Sequence, residues 1–147
     1  LKIKDIFVQD NYSFSKKKGI IRGLHFQKPP FDQAKLVRVI KGKILDIVLD
    51  IRNNSPHYGK IKKFILSKEN WHQIFIPSGF AHGFVTLSNF TEVEYKVSNF
   101  YSKKHEVTIM WNDPTLSVNW ILKQKEILNN KDKNGIFFNE LKTPFYL

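Results

Sequence analysis

Apolar and polar residues alternate in short runs along most of the chain, and turn-forming residues separate the runs. The stretch AKLVRVIKGKILDIVLDI (34–51) reads as two strands around a KGK turn, enriched in Val and Ile. IKKFILS (61–67), HQIFIPSGF (72–80), AHGFVTLS (81–88) and TEVEYKVSNFY (91–101) continue the pattern. HEVTIMW (105–111) then ends at NDPT, a strong turn signature. Only WILKQKEILNN (120–130) has the look of a helix, and it is short. Many short strands in one chain predict an all-β sandwich or barrel, with a short C-terminal helical segment. A βαβ arrangement fails for want of crossover helices.

Within that pattern the stretch IIRGLHFQ (20–27) is unusual, because it sets a histidine in a short apolar strand. Period-two geometry places Ile21, Gly23, His25 and Gln27 on one face, with Arg22, Leu24 and Phe26 on the other. In the following strand Lys35, Val37 and Val39 share a face, opposite Leu36, Arg38 and Ile40. A barrel interior that carries His25 and Lys35 is costly unless those groups are paired or meet a ligand. Spacing alone leaves both orientations of that face open.

At 147 residues the chain is most simply a single domain, 1–147, with 41% apolar residues and 13 Phe to fill a core. No run reaches the roughly 18 apolar residues of a membrane span, and LKIKDIFVQD at the N-terminus has no apolar leader core. Zero Cys removes disulfide frameworks and thiolate metal sites, which fits a cytoplasmic protein. The 24 Lys and Arg against 13 Asp and Glu give a formal charge of +11, a field that attracts polyanions. Much of that excess sits in KKK (16–18) and the KK pairs at 62–63 and 103–104, which read as solvated surface lysines. A nucleic-acid binder would need interleaved aromatics or a helix-turn-helix pattern, and neither is present.

FIPSGFAHGF (75–84) contains P-x-G-x-x-H as Pro77, Gly79 and His82, and resembles the second motif of the cupin barrels. Metal-binding cupins complete that histidine with an earlier H-x-H cluster and a Glu. Here the earlier candidate is His25, with Gln27 two residues on and no Glu at the following spacing. Two histidines without a third strong ligand make a poor metal site, so no metal or other cofactor is expected. His82 is expected to be structural or to face a substrate.

The ordered strings from VQDNYSFSKKKGIIRGLHFQKPPFDQAKLVRVIKGK through FIPSGFAHGFVTLS, EYKVSNFY and WNDPTLSVNW are far more specific. They resemble the dTDP-4-dehydrorhamnose 3,5-epimerase family from about Phe7 to Trp120, in order and with few gaps. The resemblance implies a metal-free cupin jelly roll, usually a homodimer, that acts on nucleotide-diphosphate-linked 4-keto-6-deoxy sugars. Carbons flanking the ketone carry acidic protons. Epimerisation there needs a base on one face, a proton donor on the other and a positive group near the enolate oxygen.

By that resemblance His25 matches the family base, Tyr95 in EYK the tyrosine that reprotonates from the opposite side, and Lys35 in QAKLVR the lysine near the carbonyl oxygen. Arg22 and Gln33 match contacts to diphosphate or sugar, and Gln9 and Asn11 match positions near the substrate. Gln27 and His82 join them on the substrate side, and Tyr101 in NFY matches a second tyrosine lining the pocket. The Asp that orients the family histidine has two candidates: Asp132 in NNKDKN, and Asp46 in a strand otherwise rich in Ile, Leu and Val. The usual family member also carries a longer segment ahead of FVQDN, with a D-x-RG-x-F turn that reaches across the dimer. Its contacts are expected to be missing or replaced in residues 1–147.

The leading expectation is therefore an isomerase working at C3, C5 or both of a nucleotide sugar. Two alternatives stand beside it: a single-carbon epimerase or 3,4-ketoisomerase on a related sugar, and a non-catalytic module that only binds nucleotide sugar.

Overall fold

A computed structural model describes residues 3–147, so residues 1–2 of the stretch read above for a leader lie outside it. Nine strands follow in order: β1 Gln9–Ser15, β2 Ile21–Gln27, β3 Lys35–Lys41, β4 Lys43–Asp50, β5 Ile61–Ser67, β6 Gln73–Ile76, β7 Phe80–Thr86, β8 Thr91–Val97 and β9 Glu106–Thr108. They form two antiparallel sheets, one ordered β1-β8-β3-β6 and the other β5-β4-β7-β2-β9. The all-β architecture is the one the alternation predicts, and the cupin-like jelly roll is the one the family resemblance implies. Among the described residues no helix is long and apolar enough to cross a membrane.

The chain passes from the first sheet to the second at the predicted KGK turn, where Gly42 has φ +80°. A Cβ there would lie 2.5 Å from Ser88 Oγ and 2.7 Å from Thr91 Oγ1, so only glycine lets the two sheets close at this corner.

Two apolar layers result, one between the sheets and one outside the second sheet. Val37, Val39, Ile44, Val48, Phe84 and Val93 fill the space between the sheets. The other faces of β2, β4 and β7 contribute Leu24, Phe26, Ile47, Leu49 and Val85 to the outer layer. Trp111, Leu116, Trp120, Leu128, Phe138 and Phe145 of the C-terminal tail cover that layer. β4 is thus buried on both faces, which explains its nearly unbroken apolar run.

The helix expected over 120–130 is not formed. Backbone groups there bond outward rather than along a helix: Ile127 N donates to Gly19 O at 2.9 Å and its carbonyl accepts from Ile21 N at 3.0 Å. Trp120 Nε1 donates to Trp111 O at 2.8 Å, and Ile121 has φ +50°. The apolar residues that suggested a helical face are instead spent, in extended backbone, on covering the second sheet. Among the described residues, helix is confined to α1, Asn130–Lys133, capped by Asn129 Oδ1 accepting from Asp132 N at 2.8 Å, and to a single 3-10 turn at Phe138–Glu140.

Candidate functional site

A cavity of about 500 Å³ opens between the sheets on the side of β1, β2 and α1. β1 supplies Gln9, Asn11 and Ser13; β2 supplies Arg22, His25 and Gln27; β3 and the loop before it supply Lys35 and Gln33. His82 and Phe84 enter from β7, Tyr95 from β8 and Glu106 from β9, while Tyr101 and Lys131 stand at the rim. Every substrate-facing position expected from sequence therefore lies on one cavity.

One expectation about β2 is corrected. Strict alternation puts Arg22 on the face opposite His25, yet both line the cavity. The pairing of β2 with β7 runs Arg22↔Phe84 and then His25↔His82, so β2 holds one residue more than its partner across that interval. Gly23 absorbs it at φ +124°, tight against Gly83: a Cβ on Gly23 would lie 2.5 Å from Gly83 Cα. The bulge turns Arg22 toward the cavity and Ile21, which alternation grouped with His25, into the outer apolar layer, where Leu24 and Phe26 also lie.

His25 sits at the cavity wall with its ring 20% exposed, and its Nε2 lies 2.5 Å from Oδ1 of the wholly buried Asp132. The two open candidates for its partner are thereby separated. Asp132 holds His25, and Asp46 holds His82 instead, Oδ2 to Nε2 at 2.8 Å. Because a carboxylate can only accept, His25 carries its proton on Nε2 and keeps Nδ1 as the basic nitrogen. Burial pulls the imidazole below its ordinary value of 6.5, and Lys131 and Lys35 add to that against the pull of Asp132. A neutral, basic His25 at neutral pH is the consequence.

Lys35 is buried on the inner face with Val37 and Val39, as the alternation grouped them, and its Nζ donates to His25 O at 3.3 Å. Burial lowers it to about 8, with Lys131 acting in the same direction and Asp46 and Glu106 opposing. Tyr95 is raised above 10.0 by burial and by Glu106, against the nearby Arg22, so its phenol stays protonated and able to donate.

The remaining polar residues divide into those engaged by the fold and those left open. Gln27 is 4% exposed and fully used: its amide nitrogen donates to Phe31 O and Phe100 O, and its oxygen accepts from Ser102 N. It fastens two rim loops to the cavity wall. Gln33 likewise donates to Asn99 O at 2.8 Å. Gln9 donates to Asn11 Oδ1 at 2.8 Å and accepts from Tyr101 N at 3.0 Å, fixing the half-exposed Tyr101 at the mouth. Arg22 Nε, by contrast, is buried without a hydrogen-bond partner among the described residues. An unmatched guanidinium in a cavity wall is a ready receptor for an anionic group.

Sequence reasoning missed Glu106 and Lys131. Lys131 Nζ donates to Glu106 Oε1 at 2.8 Å and Tyr101 OH donates to Oε2 at 3.0 Å, which ties α1, β9 and the rim together. Burial would raise Glu106, but Lys131, His25 and Tyr101 outweigh it and hold the carboxyl below its ordinary range. Nothing in HEVTIMW marks its Glu as inward-facing; the pairing Gln27↔Glu106 does. Among the described residues no group of three or more His, Cys, Asp or Glu could hold a metal ion.

Comparison with known proteins agrees with this geometry. The family model described as dTDP-4-dehydrorhamnose 3,5-epimerase matches residues 1–140. The chain is 49% identical over 129 residues to the dTDP-4-dehydrorhamnose 3,5-epimerase of Shigella flexneri, covering 88% of this chain and 70% of that protein. Among solved structures, the Bacillus anthracis enzyme with TDP and PPi bound superposes with a TM-score of 0.90 at 43% identity, covering 92% of this chain and 77% of that one. The Legionella pneumophila enzyme in complex with dTDP-4-keto-L-rhamnose superposes with a TM-score of 0.93 at 41% identity, covering 99% and 78%. A histidine backed by a buried aspartate, set in a jelly roll that matches these enzymes along nearly its whole length, places the chain in the dTDP-4-dehydrorhamnose 3,5-epimerase family, isomerases of the racemase and epimerase type.

Proposed function

We propose that this protein inverts C3 and C5 of a dTDP-linked 4-keto-6-deoxy sugar. The observation that carries the reading is the convergence of His25, Lys35 and Tyr95 on one cavity, with Asp132 bonded behind the histidine. His25 Nδ1 takes the proton from the carbon beside the ketone, and the electron pair moves onto the ketone oxygen as an enolate. The Lys35 ammonium, buried in the cavity wall, stabilises that developing charge. The Tyr95 phenol returns a proton from the opposite face, and solvent resets both groups. Buried Asp132 stabilises the imidazolium formed midway and fixes the reactive tautomer. Arg22, with its unpartnered Nε, suits the diphosphate, and Tyr101 at the mouth suits the nucleotide base.

The finer readings belong to the same proposal. Residues 1–147 act as one domain, a reading supported by a sandwich whose outer layer is closed by its own tail. A homodimer is supported by the outer face of the first sheet, which leaves Tyr12, Phe14 and Ile40 exposed. Zero Cys and a nucleotide-activated substrate support a cytoplasmic location, and a diphosphate rather than nucleic acid is the polyanion that the basic charge serves.

The test is incubation with dTDP-4-keto-6-deoxyglucose in deuterated water, followed by NMR of the sugar. Deuterium at C3 and C5 with inversion is the expected result. A folded protein that exchanges neither carbon overturns the reading, and tight binding without exchange points to a binding module.

A further inference from the structure

Among the buried carboxylates that the mechanism above leaves unused, Asp46 is the one set beside a histidine of the cavity wall. Asp46 lies in β4 between Ile44 and Val48, on the face that looks into the space between the sheets, and is 0% exposed. Its Oδ2 is 2.8 Å from His82 Nε2, and its Oδ1 is buried without a partner among the described residues. His82 is itself 6% exposed, lines the cavity and faces His25 across the β2–β7 pairing. An apolar residue would pack here at lower cost, since a carboxylate buried with one oxygen unmatched is penalised. Its charge also acts on Lys35 across the sandwich, favouring the ammonium against the burial that disfavours it.

We propose that Asp46 is a positioning residue for the reaction, fixing His82 with its proton on Nε2 and supplying the negative charge that keeps Lys35 an ammonium in the barrel interior. This rests on the reading of Lys35 as the group that stabilises the enolate. The titratable and charged groups that share the cavity with Lys35 are His25 and Arg22 on β2, His82 on β7, Tyr95 on β8, Glu106 on β9 and Lys131 on α1; Asp46 on β4 also acts on it, and the paired strand β6 carries no charge. Arg22 and Lys131 are cationic, so the ammonium depends on Asp46 and Glu106. Of these two, Glu106 is already engaged by Lys131. With Asp46 bound to Nε2, His82 presents Nδ1 as an acceptor, suited to a sugar hydroxyl next to the reacting carbon.

The experiment follows the Lys35 ε-carbon by NMR through a pH titration without substrate, in the native protein, Asp46→Asn and Asp46→Glu. The native midpoint is expected at about 8. Removing the carboxylate withdraws a charge that favours the ammonium, so Asp46→Asn is expected to lower the midpoint by about 1–3 pH units, and Asp46→Glu to recover part of it. The alkaline limb of the exchange rate is expected to move with it, costing about fivefold at pH 8 for the first unit and about tenfold for each further one. An unmoved midpoint in folded Asp46→Asn overturns the inference. Should that variant not fold, nitrogen NMR of His82 in the native protein decides: a proton on Nε2 supports the proposal, and a proton on Nδ1 with Nε2 bare overturns it. These titrations need no turnover. A native protein that shows the shifts but exchanges no sugar proton would sink the epimerase reading and leave the electrostatic coupling standing.

Discussion

Asp132 Oδ1 lies 2.5 Å from His25 Nε2, although 107 positions separate the two residues along the chain. The aspartate comes from a single-turn helix in the C-terminal tail and the histidine from β2, the strand next to the edge of the second sheet. The same Oδ1 also accepts from Gly23 N at 3.3 Å, so the carboxylate holds the β2 bulge and the imidazole together.

Asp132→Asn tests that link. An amide in place of the carboxylate can donate to Nε2, which would force the proton to Nδ1 and leave the base without its acceptor nitrogen facing the sugar. The expected loss in kcat is about 100-fold to 10,000-fold, the scale of a mis-set tautomer, with KM little changed. Steady-state exchange kinetics check it; a loss under threefold would mean that Asp132 does not set the tautomer.

Lys35→Arg and the pH profile address the two limbs of activity. His25 acts as a neutral base, and burial holds it below 6.5, so the rate falls with acid only below the ordinary histidine range. Lys35 acts as a cation and is lost above about 8, so the native rate is bell-shaped between these limits. Arginine does not titrate here, so Lys35→Arg is expected to work more slowly but without the alkaline limb. An alkaline limb that persists in Lys35→Arg assigns it to another group.

Tyr95→Phe separates proton removal from proton return. With the phenol gone, His25 still abstracts and can return deuterium from its own face. Exchange at the carbon beside the ketone is therefore expected to persist, while inversion falls about 100-fold or more. NMR of product stereochemistry against deuterium content reads both quantities from one sample. Equal loss of exchange and inversion would move Tyr95 out of the donor role.

How far the sequence carried these assignments varies by residue. Alternation alone grouped Lys35 with Val37 and Val39, and it held because β3 pairs regularly through that stretch. The same rule failed at Arg22, since one extra residue at Gly23 reverses the facing of everything before it and a bulge has no period of its own. The tail from Trp111 onward was illegible for a different reason. Its apolar residues are spaced to fit the outer surface of the second sheet, a template visible only after folding. Asp132 could be paired with His25 only through family likeness, and Glu106, a lone acid in a short edge strand, gave no local signal.

Gly83→Ala probes the bulge itself. β7 passes β2 so closely at this point that a Cβ on Gly83 would lie 2.7 Å from Arg22 O and 3.1 Å from both Gly23 Cα and Leu24 Cδ2. Two of these three atoms are backbone, so the strands must part rather than a side chain rotate. Overpacking of this kind costs about 1–3 kcal/mol. Urea unfolding is expected to show a lower midpoint at an unchanged slope, because the folded state is strained without any change in the surface exposed on unfolding. The same displacement shifts Arg22 and His25 relative to Lys35 and Tyr95 on the facing sheet. Reacting groups tolerate little misplacement, so the surviving folded enzyme is expected to lose about tenfold or more in kcat. A variant as stable and as active as the native protein would show that the close strand contact at Gly83 sets neither the fold nor the site.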